Sequence, residues 1–160
     1  MDDYPALYVF VRSDMQSLGS SSGKMAAHSG HAANAFVHDN VVRLLMASIP
    51  LAPEVETWMK STSQGFGTQI NLKGDWTDIV DTVASAKLAG FSAELVVDPT
   101  YPYFVDSEIV DLLDPTIHTQ SPIKLENGKF LCFRREATAA YIFGYKSTLE
   151  SIVGSFGLHP

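Results

Sequence analysis

The stretch from Leu7 to Phe36 constrains the fold of this chain more than any other segment. It begins with an apolar run typical of a buried strand, passes through a Gly/Ser-rich loop, and continues as a helix of small residues. Lys24, His28 and His31 have the spacing i, i+4, i+7, which places them on one face of that helix. Because open α/β sheets bind ligands where strands end and helices begin, the stretch predicts a functional site here.

Hydrophobic patterning in the first hundred residues alternates strands with helices. It predicts, in chain order, a strand, two helices, a strand, a helix and a strand at residues 6–12, 23–46, 53–62, 67–73, 76–88 and 93–97. A stripe of small residues predicts that the first helix lies very close to the sheet; it consists of Ala26, Gly30, Ala33 and Val37. The β-α-β-α-β order favours an α/β fold with parallel pairing and helices on the faces of the sheet.

The C-terminal part of the chain has a less regular pattern. Residues 99–128 contain four prolines and predict only a short helix at 106–113. Residues 129–134 and 138–143 predict two strands joined by a tight turn, and a final helix is expected at about 147–156.

The net charge of −7 argues against a large nucleic-acid footprint, since phosphate contacts supply most of the affinity of nucleic-acid-binding proteins. A small, local basic site remains compatible with this charge. No apolar run reaches the ~18–20 residues that span a bilayer, and the acidic N-terminus lacks the features of a signal peptide. We therefore expect a cytoplasmic protein without membrane contact. The single cysteine, Cys132, excludes an internal disulfide and is expected to be buried.

Lys24 and Asp98 are the main candidates for chemistry. Asp98 is expected to end the strand over 93–97 and so to reach the sheet edge at which the helix of Lys24 begins. A lysine beside an aspartate keeps the carboxylate ionised and ready to orient a water molecule. The alternatives are a solvated lysine and an ordinary turn at the Asp-Pro pair.

Metal and phosphate sites are less well supported on the same helix. Histidines at i and i+3 can share a metal, and His38 adds a third candidate, but no HExxH pattern or carboxylate ligand stands nearby. We expect no metal, with one histidine in the core interface and the other at a polar cleft. A Walker phosphate loop is excluded, because only three residues separate Gly19 from Gly23 and Met25 follows Lys24. A looser anion contact at the amino end of the helix remains open.

The segments VRSDM and GKMAAHSGHAANAF resemble the signature of peptidyl-tRNA hydrolases of the archaeal and eukaryotic class. That family reads roughly V-R-T-D-L, a short basic loop, then G-K-x-A-A-Q-x-x-H-A. The matching positions are Asp14, Gly23, Lys24, Ala26, Ala27, His31 and Ala32. The resemblance continues in AELVVDP and in ATAAYIFGYKSTLESIV, which is similar to the closing strand and final helix of the family.

The resemblance implies one domain over residues 1–160, a three-layer sandwich in which helices flank both faces of a mixed sheet of about four strands. It implies cleavage of the ester between a peptide and the 3′ ribose of tRNA, without metal or organic cofactor; many members form homodimers. Lys24, Asp98 and Thr138 fall on the catalytic lysine, the catalytic aspartate and the closing-strand threonine. Asp98 would activate water, Lys24 would hold Asp98 ionised and stabilise the oxyanion, and Thr138 would position water or substrate.

The resemblance also implies residues that contact the substrate, which is peptidyl-tRNA and not DNA. His31 falls on the histidine of the motif, and His28 stands where the family has glutamine. Pro102 replaces a second threonine of the family, so Thr100, or Thr119 farther along, is expected to take its place. Residues 99–135 are longer than the corresponding link in the family, and would form a lid, a partner contact or tolerated surface.

Peptidyl-tRNA hydrolysis is therefore the leading hypothesis. One alternative is a non-catalytic member of the same fold that binds tRNA or a protein partner. A second alternative is an unrelated hydrolase with a histidine-bound metal. The few basic residues predict that binding to tRNA falls only gently as salt rises.

Overall fold

Strands and helices alternate along the chain in the computed structural model, which describes residues 3–15 and 22–158. The strands are β1 (Pro5–Arg12), β2 (Gln69–Gly74), β3 (Ser92–Asp106), β4 (Ile123–Lys124), β5 (Lys129–Tyr145) and β6 (Gly157–Leu158). The α-helices are α1 (Ser22–Val37), α2 (Arg43–Met46), α3 (Pro53–Lys60), α4 (Trp76–Leu88), α5 (Ser107–Val110) and α6 (Lys146–Val153). Most of the predicted Gly/Ser loop, residues 16–21, lies outside the described residues.

The strands form one mixed sheet in the order β3-β5-β1-β2-β6, with β4 paired to β5. β1 and β2 are parallel, whereas β5 is antiparallel to both β1 and β3. The carboxyl ends of β1, β2 and β3 therefore point the same way. The predicted α/β class with a mixed sheet is confirmed, but the expected strand number, about four, is wrong because the sheet has six strands. Two of these, β4 and β6, are two residues long and leave no periodic pattern.

Helices cover both faces of the central strand β1, which is buried along its whole length. Leu7, Val9 and Val11 belong to a core that includes residues of α1 and α3. Tyr8 and Phe10 belong to a second core that includes residues of α4 and α6. The unbroken apolar run of β1 thus has the pattern of a strand with both faces covered.

The helix predicted over residues 23–46 is present, but a π-helical turn divides it into two α-helical segments. A π-helical turn, His38–Val42, joins α1 to α2, and the flanking residues Val37 and Arg43 keep helical dihedral angles. Asn40 in this turn connects the helix to the sheet, since its side chain donates to the carbonyl of Phe36 and accepts from Ser92 Oγ.

Only half of the small-residue stripe faces the core, so the prediction about it is confirmed in part: Ala33 and Val37 pack against the core, whereas Ala26 and Gly30 are exposed. The buried face of α1 consists of Met25, His28, Ala32 and Phe36. Gly30 is exposed, and a Cβ atom built on it would meet nothing within 4 Å. Burying the larger side chains removes more apolar surface from water, which stabilises this orientation of the helix. In the same orientation of α1, the side chain of His28 lies in the interior.

β3 and β5 are far longer than predicted. β3 continues to Asp106, and residues 129–134 and 138–143 belong to one strand of 17 residues instead of two strands with a turn between them. β3 and β5 pair with each other over almost their whole lengths. The first pair is Ser92 with Phe143, and the last is Asp106 with Lys129. Residues 99–135, called the arm below, therefore extend the sheet as a twisted ribbon that also carries α5 and β4.

The remaining local predictions differ in detail. The final helix is shorter than expected, and the helix predicted at 106–113 is the single turn α5. Asp75 stands at the N-cap of α4, but its carboxylate accepts from Ser13 Oγ instead of capping the helix. Within residues 3–15 and 22–158, no helix combines the length and the apolar character needed to cross a bilayer.

Candidate active site

Lys24 lies in the first turn of α1 and extends toward β3. Its Nζ is 5.7 Å from the centre of the Tyr101 ring, within the range of a cation–π contact. Tyr101 is buried and follows Asp98 by three positions on β3. The amino end of α1 and the Asp98 segment of β3 therefore lie side by side.

Asp98 does not end β3, as the sequence predicted, but lies inside it between two register shifts. Its Oδ1 accepts a hydrogen bond from the backbone N–H of Thr100 at 2.8 Å and lies 3.4 Å from Thr100 Oγ1. Pro99 is compatible with a strand here because β3 is at the edge of the sheet, where a missing N–H leaves no ladder bond unmade. Asp98 itself pairs with Glu136, and the register shifts on either side of it are irregularities of the kind found beside functional sites.

His28 is the buried centre of this group, with 3% of its surface exposed. Its ring lies 5.9 Å from that of Tyr101 and 6.3 Å from that of His31. Burial is the main cause that lowers the pKa of His28; His31 and Lys24 also lower it, and Asp98 raises it. The imidazole is therefore neutral at pH 7. Because Lys24, His31 and Asp98 all act electrostatically on this ring, the four side chains share one neighbourhood.

Neither ring nitrogen of His28 has a hydrogen-bond partner among the described residues. A neutral imidazole has one donor and one acceptor nitrogen, so both functions remain available to a water molecule or a ligand. The next histidine, His31, is exposed on the following turn of α1. One histidine therefore lies in the interior, as expected, and the other, which was expected at a polar cleft, is exposed.

The lowered pKa of His28 leads to a prediction about stability. Below the ordinary value of 6.5, the unfolded chain binds a proton that the folded chain excludes until its own lower pKa is reached. The free energy of unfolding should therefore fall as the pH drops below about 6.5. His28→Gln should flatten this dependence, and His31→Gln, the matched control, should not. Urea titrations between pH 7.5 and 5.5 measure both; an equal slope in wild type and His28→Gln would contradict the prediction.

Thr138 is fully buried, and its Oγ1 also makes no hydrogen bond within the described part of the chain. Ala139 and Ala137 pair with Val96 and Val97, so Thr138 is the additional residue of β5 at this bulge. The register position of Asp98 lies one step farther along the pair of strands. A bulge redirects a side chain from the regular alternation, which is how β5 presents a hydroxyl close to this position.

Buried polar atoms without a partner are rare in folded proteins. In residues 3–15 and 22–158 they are both ring nitrogens of His28, Thr138 Oγ1 and Arg134 Nε. His28 and Thr138 were both predicted as site residues from sequence. The structure thus leaves hydrogen-bonding capacity unused at two of the positions at which the sequence predicts contact with substrate or water.

An ion-pair network at the end of β1 was missed by the sequence analysis. The guanidinium of the buried Arg12 donates to both carboxylate oxygens of Asp14, at 2.9 and 2.6 Å. It also donates to Glu136 Oε1 at 2.5 Å and to the carbonyl of Ala137 at 2.8 Å. The hydrogen bond from Arg12 holds the pKa of Asp14 below its usual range. The only signal in the sequence is the i, i+2 spacing of Arg12 and Asp14 in VRSDM.

The network continues into the arm. Glu136 also forms an ion pair with Arg134 at 2.7 Å, and the Arg134 guanidinium lies 5.0 Å from the centre of the Tyr103 ring. The Tyr103 hydroxyl in turn lies 2.5 Å from His118 Nε2. The base of the arm is therefore tied to the end of β1 next to the candidate site.

The other candidate residues lie away from Asp98. His38 is exposed, with its Nδ1 3.1 Å from the neighbouring Asp39, and Thr119 bonds through its backbone to Phe133 in the arm. Cys132 is a buried free thiol opposite Tyr103. Across the described ranges, no group of three or more His, Cys, Asp or Glu side chains has an arrangement that could hold a metal ion.

A second cleft lies on the other side of α1, next to β2, with a volume of about 460 Å³. Its polar lining consists of Ser29, Gln69 and Asn71, which hydrogen-bond to one another. The exposed small residues of α1, Ala26 and Gly30, form its wall. Half of the stripe that the sequence analysis assigned to the sheet therefore lines an open cleft.

Comparison of the chain with models of known protein families and with curated proteins gives no match. The site itself therefore has to support the functional interpretation. It contains a half-buried carboxylate, a lysine, a buried neutral imidazole and a buried hydroxyl on neighbouring elements, and the last two have no hydrogen-bond partner among the described residues.

Proposed function

We propose that this protein hydrolyses the ester that joins a peptide to the 3′ ribose of tRNA in peptidyl-tRNA. The observation that carries the proposal is the unused hydrogen-bonding capacity of His28 and Thr138 beside Asp98. A buried polar group without a partner destabilises the fold by about 1–3 kcal/mol, so its retention indicates a role with a ligand. The resemblance of the N-terminal motif and the α/β fold, with helices on both faces of the sheet, support the same family of activities.

In the proposed reaction, Asp98 accepts a proton from a water molecule as the water oxygen bonds to the ester carbonyl carbon. Lys24 stabilises the negative charge that develops on the carbonyl oxygen. The bond to the 3′ oxygen then breaks and this oxygen takes the proton back from Asp98, which is thereby ionised again. Free tRNA and the peptide acid leave, and the acid loses its proton to the solvent. No metal or organic cofactor enters these steps.

The other residues bind and orient in this proposal. Thr138 Oγ1 holds the attacking water or the ester, and neutral His28 offers one donor and one acceptor to the same region. Thr100, which contacts Asp98, and exposed His31 lie where the acyl-bearing end of the substrate enters. Because this substrate arises during translation, we expect the protein in the cytoplasm, where it returns tRNA to use; a homodimer is the expected assembly.

The direct test is cleavage of a purified N-acetylaminoacyl-tRNA by the purified chain, with and without a chelator. Ester cleavage that the chelator leaves unchanged is the expected result. Inhibition by the chelator, with zinc at one equivalent in the protein, would instead support a metal-dependent hydrolase. The absence of turnover at any enzyme concentration would favour a non-catalytic binding protein, for which Phe104 and Leu112 on the arm offer exposed apolar contacts, 60% and 82% accessible.

Thr138→Val separates a functional hydroxyl from a structural one. Since Oγ1 has no partner in the described structure, removing it should leave the free energy of unfolding unchanged or raise it by up to about 1 kcal/mol. The same substitution should lower kcat/KM for ester cleavage by about tenfold or more, because a hydrogen bond in the transition state is lost. Thr77→Val, at an exposed position of α4, is the matched control. A loss of stability above about 2 kcal/mol would show that the hydroxyl has a structural role instead.

A further inference from the structure

We infer that the proposed esterase recognises only the acylated 3′ end of its substrate, a terminal nucleoside or short oligonucleotide ester, and not the folded body of tRNA. The inference rests on the proposed function and extends it. It follows from where the positive charges of this protein lie and from what neutralises them.

Most of the cations of the chain stand beside carboxylates. At least six of the 11 lysines and arginines form ion pairs, and these are Arg12, Arg43, Lys60, Lys87, Lys129 and Arg134. A carboxylate within 4 Å cancels the attraction of its partner for a phosphate, and a phosphate bound there would be repelled by that carboxylate. Binding the body of a tRNA depends on several such phosphate contacts at once.

The two arginines next to the site illustrate this neutralisation. Arg134 is paired in register with Tyr101, and Glu136, the register partner of Asp98, forms ion pairs with both Arg134 and Arg12. Arg12 is 7% exposed and also holds Asp14. Both guanidinium groups are thus used within the protein, and neither forms a basic surface leading away from the site.

The arm offers no excess of positive charge beside the same site. Residues 99–135 contain five acidic residues, Asp106, Glu108, Asp111, Asp114 and Glu126, against four basic residues, Lys124, Lys129, Arg134 and Arg135. All five carboxylates lie on exposed positions, and two of the four cations, Lys129 and Arg134, are ion-paired. A phosphate backbone that ran along the arm would therefore meet at least as many carboxylates as cations within a Debye length of about 8–10 Å.

The groups that the site offers to a ligand are mainly uncharged. Neutral His28, Thr138 and Thr100 match ribose hydroxyls, an ester and a peptide amide, all of which exchange hydrogen bonds without needing a counter-charge. Lys24 is the cation at this place, and it suits the developing oxyanion or the terminal phosphate. The chemistry of the site is therefore complementary to the end of the substrate alone.

The test compares kcat/KM for an N-acetylaminoacyl-tRNA with that for the same acyl group on a CCA trinucleotide and on adenosine. We expect kcat/KM for the trinucleotide ester to be no more than about tenfold lower than that for the tRNA ester, since few phosphate contacts are lost. A loss above about 100-fold, with the tRNA ester still cleaved, would overturn this inference and leave the proposed function standing. Failure to cleave any of the esters would overturn both.

Salt dependence and two surface variants give an independent measurement on the tRNA substrate. Between 50 and 200 mM salt, kcat/KM should fall by less than about tenfold, as for one or two phosphate contacts. Lys60→Ala and Lys87→Ala remove cations that are ion-paired with Glu56 and Glu94, so each should change kcat/KM by less than about twofold. A steep salt slope or a fivefold loss in either variant would indicate contact with the tRNA body.

Discussion

Replacing Asp98 by asparagine is expected to lower kcat/KM for peptidyl-tRNA by about 10²- to 10⁴-fold, the usual contribution of a general base. The amide cannot take a proton from water, but its oxygen can still accept the hydrogen bond from the Thr100 backbone. The fold should therefore persist, and circular dichroism and urea unfolding should match the wild type. Lys24→Ala should act in the same direction, through loss of oxyanion stabilisation.

Asp106→Asn is the matched control for this prediction. Asp106 lies on the same strand, is exposed, and pairs with Lys129 at 3.4 Å at the far end of the arm. Its replacement should change kcat/KM by less than about twofold, because a surface ion pair contributes little to stability and nothing to the site. If Asp98→Asn retains more than about a third of wild-type activity, Asp98 is not the general base.

Phe36→Ala is expected to cost about 3–5 kcal/mol in the free energy of unfolding, the largest effect on stability that we predict. Phe36 is fully buried on α1, and its ring lies 5.4, 5.6 and 4.6 Å from the rings of Trp58, Tyr141 and Phe143. Truncation leaves a cavity among rings of α3 and β5 that cannot close over it easily.

The same substitution loosens the helix that carries Lys24 and His28. Activity should therefore fall at temperatures at which most of the protein is still folded, whereas Phe104→Ala should change neither property because Phe104 is 60% exposed. Urea titration and activity between 15 and 40 °C measure the two effects. A destabilisation below about 1 kcal/mol would mean that this aromatic cluster does not hold α1 on the sheet.

The elements that the sequence predicted well depend on local signals. α4 runs from Trp76 to Leu88 as predicted, because its apolar period and the Asp75 before it are features of neighbouring residues. Gly90 follows with φ of 88°, a conformation that glycine adopts without strain. For the same reason, the spacing of Lys24, His28 and His31 was sufficient to predict their common helix.

The elements that the sequence predicted poorly depend on distant partners. Residues 135–137 separate two apolar runs and were predicted to form a turn, yet they remain in β5 because β3 pairs with this part of the strand and the Arg12 network holds Glu136. Asp98 similarly belongs to a strand, since the ladder to β5 continues past Pro99. The paired residues of β3 and β5 are about 40 positions apart in the sequence near Asp98. The hydrophobic pattern of either segment alone therefore does not reveal their pairing.

For the candidate site, the chain by itself established residue types and their helical spacing, because backbone preferences act over one or two turns. It could not establish which face of α1 is buried, since that depends on the apolar area that the sheet and α3 offer to each face. Nor could it show that Thr138 lies at a bulge beside Asp98, or that Arg12 is held by Asp14 and Glu136. Those features depend on strand register and burial. Both are set only when segments that are distant in the sequence pack against one another.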